Sequence, residues 1–229
     1  MKMLLFGIFI TGVVYSETQV YRGEAKAEGK KVYEEFHTAE FDKNKIISSV
    51  TEYKSPSGKI LGILKNNYSK SLNAPEHTME DPVHKNTHGL RYEGDHLILF
   101  NQDAGKKEET KKLDKDDLKG KLVVGGQGLH YYLVANLEEV IRKGELELKF
   151  LIPGRLDAYN FYLKVVKKSA DNVEIDIAID NWLLKLFAPK LKLIYDRKNP
   201  RLLKYSGLSN ITDEKKDMMN VDIIYFYNN

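Results

Sequence analysis

Apolar residues recur at every second position over much of this chain. Val173, Ile175, Ile177 and Ile179 alternate with Glu174, Asp176, Ala178 and Asp180. Leu146, Leu148, Phe150 and Ile152 keep the same beat, as do Tyr159, Phe161, Leu163 and Val165. Leu191, Leu193 and Tyr195 follow it, and Val221, Ile223, Tyr225 and Tyr227 repeat it near the C-terminus. A strand places such residues on one side, whereas a helix scatters them around its axis. With one face apolar and the other wet, the pattern predicts antiparallel, half-buried strands rather than the continuous apolar runs of a parallel sheet.

Turn residues separate these runs. Ser55-Pro56-Ser57-Gly58 sets Pro and Gly where a turn uses them and predicts a hairpin between strands at Ile46–Tyr53 and Lys59–Lys65. Glu93-Gly94-Asp95 joins Leu90–Tyr92 to His96–Phe100, while Ala170-Asp171-Asn172 and Lys198-Asn199-Pro200 join later pairs. One long helix stands out. Leu129, Tyr132, Leu133, Leu137, Val140 and Ile141 fall at helical spacing, and Lys143-Gly144 supplies a basic last turn and a stop. The segment from Trp182 to Phe187, ending before Pro189, reads equally as a short helix or a strand. Lys106–Lys121, dense in both charges, reads as a solvated loop or an exposed edge hairpin.

Composition narrows the function classes. The chain has 229 residues, 36 Lys+Arg against 33 Asp+Glu, and no cysteine. That near balance lacks the concentrated basic character of a nucleic-acid binder. Without cysteine there is no disulfide framework, thiolate nucleophile or Cys-ligated metal. Lys2 precedes an uncharged apolar run from Met3 to Val14, and Val14-Tyr15-Ser16 then offers a cleavage site before Glu17. This is the layout of a secretory signal peptide over residues 1–16, too short to span a bilayer, which takes about 20 residues. The expectation is therefore a periplasmic or secreted protein whose β-rich domain covers residues 17–229.

Sites for chemistry are sparse. His84 and His88 are four apart beside Glu76, His77, Glu80 and Asp81, yet Pro75 and Pro82 interrupt the stretch and no apolar period supports a helix there. It reads as a solvated loop rather than a metal site, and no metal or cofactor is expected. No Gly-x-Ser-x-Gly occurs, and Ser209 in Gly207-Leu208-Ser209-Asn210 reads as a turn residue. Gly125-Gly126-Gln127-Gly128 lacks the Lys-Ser/Thr of a phosphate loop and instead releases the chain into the helix at Leu129. No catalytic residue is assigned. A weaker reading is a hydrolase built on His37 or on the His77–His88 cluster.

The 14 Tyr and 9 Phe, set among many Leu and Ile, carry more information. Tyrosine joins an apolar body to a polar tip, which suits the wall or rim of a cavity. Mainly as core, and partly as such a wall, these residues fit a single antiparallel sheet. The predicted fold is mainly β, a half-barrel or open barrel of about ten strands with one long helix on its concave side. The expected lining is Trp182, Leu186, Phe187, Tyr132 and Phe161, for a lipid or other apolar small molecule. The alternative is a non-catalytic interaction module of the cell envelope with a protein partner.

Four segments carry a family likeness. They are Tyr33-Glu34-Glu35-Phe36-His37, Glu52-Tyr53-Lys54-Ser55-Pro56-Ser57-Gly58-Lys59, Pro153-Gly154-Arg155, and Leu202 to Ile211 with its Tyr-x-Gly-x-Ser-Asn pattern. Through them the chain resembles a group of uncharacterised exported bacterial proteins, which implies export and assigns no activity. In architecture alone the expected fold is also similar to the half-barrels of lipoprotein carriers. The Tyr205–Ile211 stretch has its own physical reading as a tight corner, bent at Gly207 and tied by Ser209 and Asn210.

Overall fold

The computed structural model describes residues 16–114, 116, 118–179 and 190–228. The expected signal peptide lies outside them but for Ser16, and so do Trp182, Leu186 and Phe187. Fifteen strands form one sheet. In the first half these are β1 (Ser16–Ala27), β2 (Lys30–Asp42), β3 (Lys45–Lys54), β4 (Ile60–Asn67), β5 (Glu76–Asp81), β6 (Asn86–Glu93), β7 (His96–Gln102) and β8 (Glu109–Leu113). The second half holds β9 (Leu122–Val124), helix α1 (Gly128–Lys143), β10 (Glu145–Ile152), β11 (Asp157–Lys168), β12 (Asn172–Ile179), β13 (Leu191–Asp196), β14 (Arg201–Thr212) and β15 (Met218–Tyr227).

The strand order is β8 through β1, then β15 down to β9. The first and last strands therefore pair at the middle, Gly23 opposite Tyr225, and each half of the chain fans outward as a meander. Tight turns make this possible. Glu28-Gly29 and Lys43-Asn44 both take positive φ at their two central residues, the backbone that matches the twist of paired strands. Every pairing is antiparallel except β9 with β10, which α1 separates in sequence.

Chain length forces the sheet to curl. Laid flat, fifteen strands span about 67 Å at ~4.8 Å per spacing. Yet β8 and β9 are opposite edges, joined by a connection that reaches at most about 30 Å. The contacts show how the gap is closed. Leu151 of β10 and Ala158 of β11 point away from Phe150 and Tyr159, and they pack against Leu90, Leu99 and Leu113 of β6 to β8. The sheet thus rolls past its own edge and closes through side chains. Met79 and Leu64 meet Ile211, Val221 and Ile223 inside the same roll. The outermost strand, β8, reads Glu-Thr-Lys-Lys-Leu, and its charges guard a free edge against pairing with other chains.

Helix α1 lies within the roll. Leu133, Leu137 and Val140 sit against Leu148, Leu163, Val173, Ile175 and Leu193, while Tyr131 meets Ala39, Ile46 and Tyr68 from the opposite side. Its boundaries match the periodicity of the sequence, and Gly144 closes it with φ +76 and a hydrogen bond to the Val140 carbonyl. Among the described residues no helix is long and apolar enough to cross a membrane.

Three expectations need correction. The sheet has fifteen strands rather than about ten, because several strands carry polar or small residues on their inward row. The stretch from Glu76 to His88 is a hairpin of β5 and β6 and not a loop. His77 and Met79 point inward, and Asp81 accepts the Val83 and His84 amides to build the turn. The Tyr205–Ile211 segment lies inside β14 and is not a corner between strands. Its irregularity is a shift of pairing with β15 between Leu208 and Thr212.

Candidate functional site

The concave face of β2, β3 and β4 carries the cluster that sets this protein apart. Alternation along β2 turns Tyr33, Glu35, His37 and Ala39 inward. Register then places His37 opposite Thr51, Glu35 opposite Tyr53, and Ala39 opposite Ser49, with Asn66 of β4 beyond Ser49. Paired strands bring such directly opposed side chains within contact distance.

Hydrogen bonds run through the whole group. His37 donates from Nε2 to Glu35 Oε2 at 2.9 Å, and the Tyr225 hydroxyl donates to the same oxygen at 3.0 Å. Thr51 Oγ1 lies 2.8 Å from His37 Nδ1 and accepts a 2.7 Å bond from Gln127 Nε2. His37 is thereby held at both ring nitrogens, Nε2 on Glu35 and Nδ1 beside Thr51. Ser49 donates to Gln127 Oε1 at 2.8 Å, and Asn66 donates to Ser49 at 3.2 Å. Tyr21 stacks on the His37 ring, 4.3 Å between centroids.

Gln127 precedes the helix and makes no side-chain cap to it. Its amide turns instead into the polar cluster, so one residue links the start of α1 to three strands. Gly126 allows that approach. Its φ is +51, and a Cβ there would lie 2.5 Å from Asn66 Oδ1.

Above this polar floor is a cavity of about 530 Å³. Phe150, Phe161, Ile177, Ile179, Leu193 and Leu202 give it an apolar wall. Glu35, His37 and the tyrosines Tyr33, Tyr53 and Tyr225 face it from β2, β3 and β15. Arg155, Asn210 and Met218 also line it and are exposed, so the cavity opens to solvent there. The volume falls within the range of small-molecule sites, about 300–1,000 Å³.

Two bonds cross the cavity's end. Ser209 Oγ lies 2.9 Å from the Tyr33 hydroxyl, and Asn210 donates to the Tyr53 hydroxyl at 3.1 Å. Three and four strand spacings separate these partners, about 14 and 19 Å on a flat sheet. Only tight curvature lets them touch. Ser209 and Asn210 therefore fasten the roll while bordering the cavity.

Burial, the largest cause, and then the Glu35 charge hold the hydroxyls of Tyr33, Tyr53, Tyr205 and Tyr225 well above the ordinary tyrosine range. All four hydroxyls stay protonated. Burial likewise draws His130, whose Nδ1 lies 3.0 Å from the Tyr195 hydroxyl, down to about 3.

The line Glu35–His37–Thr51 repeats the order of an acid, a histidine and a hydroxyl. A histidine and a carboxylate do converge at this cavity, as the hydrolase reading asks. Yet Thr51 is fully buried, at 0% exposure, and cannot meet a substrate. Both ring nitrogens of His37 are also engaged, leaving none to take a substrate's proton. The geometry orients a carboxylate rather than activating a nucleophile.

Of the residues expected to line a ligand site, Phe161 stands in the cavity wall. Tyr132 packs against the core between α1 and the sheet. Trp182, Leu186 and Phe187 lie outside the described residues. Sequence reasoning passed over Glu35, Tyr33 and Tyr225 as lining groups. The one signal for them was the inward row Tyr33-x-Glu35-x-His37, an alternation of polar groups that a hydrophobicity pattern does not register. Among the described residues no group of three or more His, Asp or Glu is placed to hold a metal ion.

No protein-family model matches the chain, and no curated protein matches it. Among solved structures it is similar to a beta-barrel-like protein of domain of unknown function DUF1849 from Brucella abortus. The identity is 12% and the TM-score 0.42, over 94% of this chain and 98% of that one.

Proposed function

We propose that this is a non-enzymatic binding protein of the cell envelope that takes an apolar or amphiphilic small molecule into the rolled sheet. The observation that carries the reading is the cavity of about 530 Å³, apolar along its wall and polar at one end. A core built only for stability would close such a space, since protein interiors pack as densely as organic crystals. The apolar wall favours a hydrocarbon part, at about 25 cal/mol per Å² removed from water. The polar end favours a ligand with a head group, which lipids and acylated molecules share.

Export fits this reading, because a lipid or its precursor crossing an aqueous compartment needs a dry container. The experiment is mass spectrometry of organic extracts from protein purified, without detergent, out of its own cells. A single class of amphiphile near one molecule per chain is expected. Extracts free of any apolar molecule would count against the proposal.

A second reading, a partner protein in the envelope, draws on the outer face. Phe36 and Phe226 flank Arg22 across β2, β1 and β15, and both are exposed, as are Val20, Val50 and Ile224 nearby. The Arg22 guanidinium covers the Phe226 ring at 4.6 Å, which shields part of this surface.

A further inference from the structure

Glu35 lines the cavity with one carboxylate oxygen that no described residue bonds. Its side chain is 6% exposed, and its hydrogen-bonding partners are the His37 imidazole and the Tyr225 hydroxyl. Both bonds fall on Oε2, and among the described residues Oε1 has no protein partner. Among the described residues no lysine or arginine pairs with this carboxylate. Arg155 is the single lysine or arginine among the described lining residues, and it is exposed at the mouth, where water already solvates it.

A carboxylate taken out of water is costly unless it is paired. His37 engages only Oε2, and the surrounding tyrosines are neutral. What surrounds Glu35 is instead aromatic. Tyr225 and Tyr21 have ring centroids 6.3 Å apart, and Tyr33 and Tyr53 stand edge to face at 5.9 Å. Aromatic faces attract cations, more strongly where water is excluded. A largely buried carboxylate with one oxygen unbonded among the described residues, set among tyrosines at the end of an apolar cavity, is complementary to an ammonium group.

Resting on the cavity reading above, we infer that the ligand is an amphiphile carrying an ammonium group at its buried end, held by Glu35 Oε1 and the tyrosine faces, with its hydrocarbon along the Phe150, Phe161 and Ile177 wall. The protein's own net charge makes the inference easy to separate from general electrostatics. At +3 the chain as a whole favours anions, so a preference for a cation has to arise at the site.

The test is a calorimetric titration of the whole protein with three probes of equal tail and different head: decylammonium, 1-decanol and decanoate, each below its aggregation concentration. Decylammonium is expected to bind at least tenfold more tightly than 1-decanol, with decanoate weakest. In Glu35→Gln the gap between decylammonium and 1-decanol should collapse. Equal binding of decylammonium and 1-decanol, or tightest binding of decanoate, would overturn the ammonium assignment and leave the cavity reading standing. Binding of none of the three would remove the cavity reading, and this inference with it. If Glu35→Gln does not fold, the order of the three probes on the unaltered protein decides the matter alone.

Discussion

Replacing Gly207 by valine is expected to destabilise the protein by about 4 kcal/mol. Gly207 sits inside β14 with φ +154, a backbone that residues with a Cβ rarely adopt. A Cβ there would stand 2.5 Å from Leu191 Cδ2, 3.1 Å from the Tyr205 hydroxyl and 3.3 Å from the Leu191 Cα. The Leu191 methyl could swing aside, but the Cα belongs to a paired strand and cannot. Overpacking of this kind costs about 1–3 kcal/mol, and a strained backbone costs about as much again. For a chain of this size that corresponds to a fall in Tm of roughly 10 °C, read by a thermal melt. An unchanged melt would mean that β14 does not approach β13 as closely as described. The effect should extend to the cavity, because Leu191, Tyr205 and Leu208 border it on both sides of Gly207.

Acidification is expected to weaken the fold through His77. This side chain is buried between β5 and the Gly125–Gly126 loop, and its Nδ1 donates to the Pro75 carbonyl at 3.1 Å. Burial, the largest cause, pulls its pKa from 6.5 down to about 4. The unfolded chain binds a proton at the ordinary value, while the folded chain refuses it until the lower one. The stabilisation is therefore complete above pH 6.5 and is lost as the pH falls to about 4. At about 1.4 kcal/mol per pKa unit it amounts to about 3 kcal/mol. His88 on β6, also lowered by burial, adds to the loss with the same sign. Carboxylates contribute to acid unfolding as well, so the measurement is a comparison. Urea unfolding at pH 7 and at pH 4 should show a smaller decline in His77→Gln than in the unaltered protein. Equal declines would place His77 in contact with water.

How much of this was legible beforehand depended on what each inward row is made of. Val173, Ile175, Ile177 and Ile179 are all inward on β12, and every one of them is buried. There the alternation in the sequence and the pleat of the strand are the same fact. Helix α1 was equally plain, since Leu133, Leu137 and Val140 repeat at its turn and Gly144 ends it. The first wing was harder to see. On β2 the inward residues are Tyr33, Glu35, His37 and Ala39, and on β3 they include Ser49 and Thr51. A hydrophobicity pattern treats these as wet positions, so the strands they belong to disappear from the count. Tyr33, Glu35 and His37 among them also line the cavity. A locally inconsistent stretch is where a functional site is expected, because polar groups are tolerated inside only when something uses them.

Curvature was legible only in outline. Alternation says that a strand has two faces and nothing about how far fifteen of them roll. The bonds from Ser209 to Tyr33 and from Asn210 to Tyr53 join residues 176 and 157 positions apart. No local pattern marks such pairs. Leu151 and Ala158 show the same limit. They stand on the face of β10 and β11 opposite the cavity, and they are covered because the far wing of the sheet returns over them.

The central claim is that the roll encloses an apolar space which a hydrocarbon chain fills. It is tested most directly by titrating 1-decanol into the unaltered protein and into Leu208→Trp, a substitution that adds an indole to a half-buried position on the cavity wall. The account predicts saturable binding of one molecule per chain in the first, weakened at least tenfold in the second while both remain folded. Equal affinity in the two proteins would contradict it.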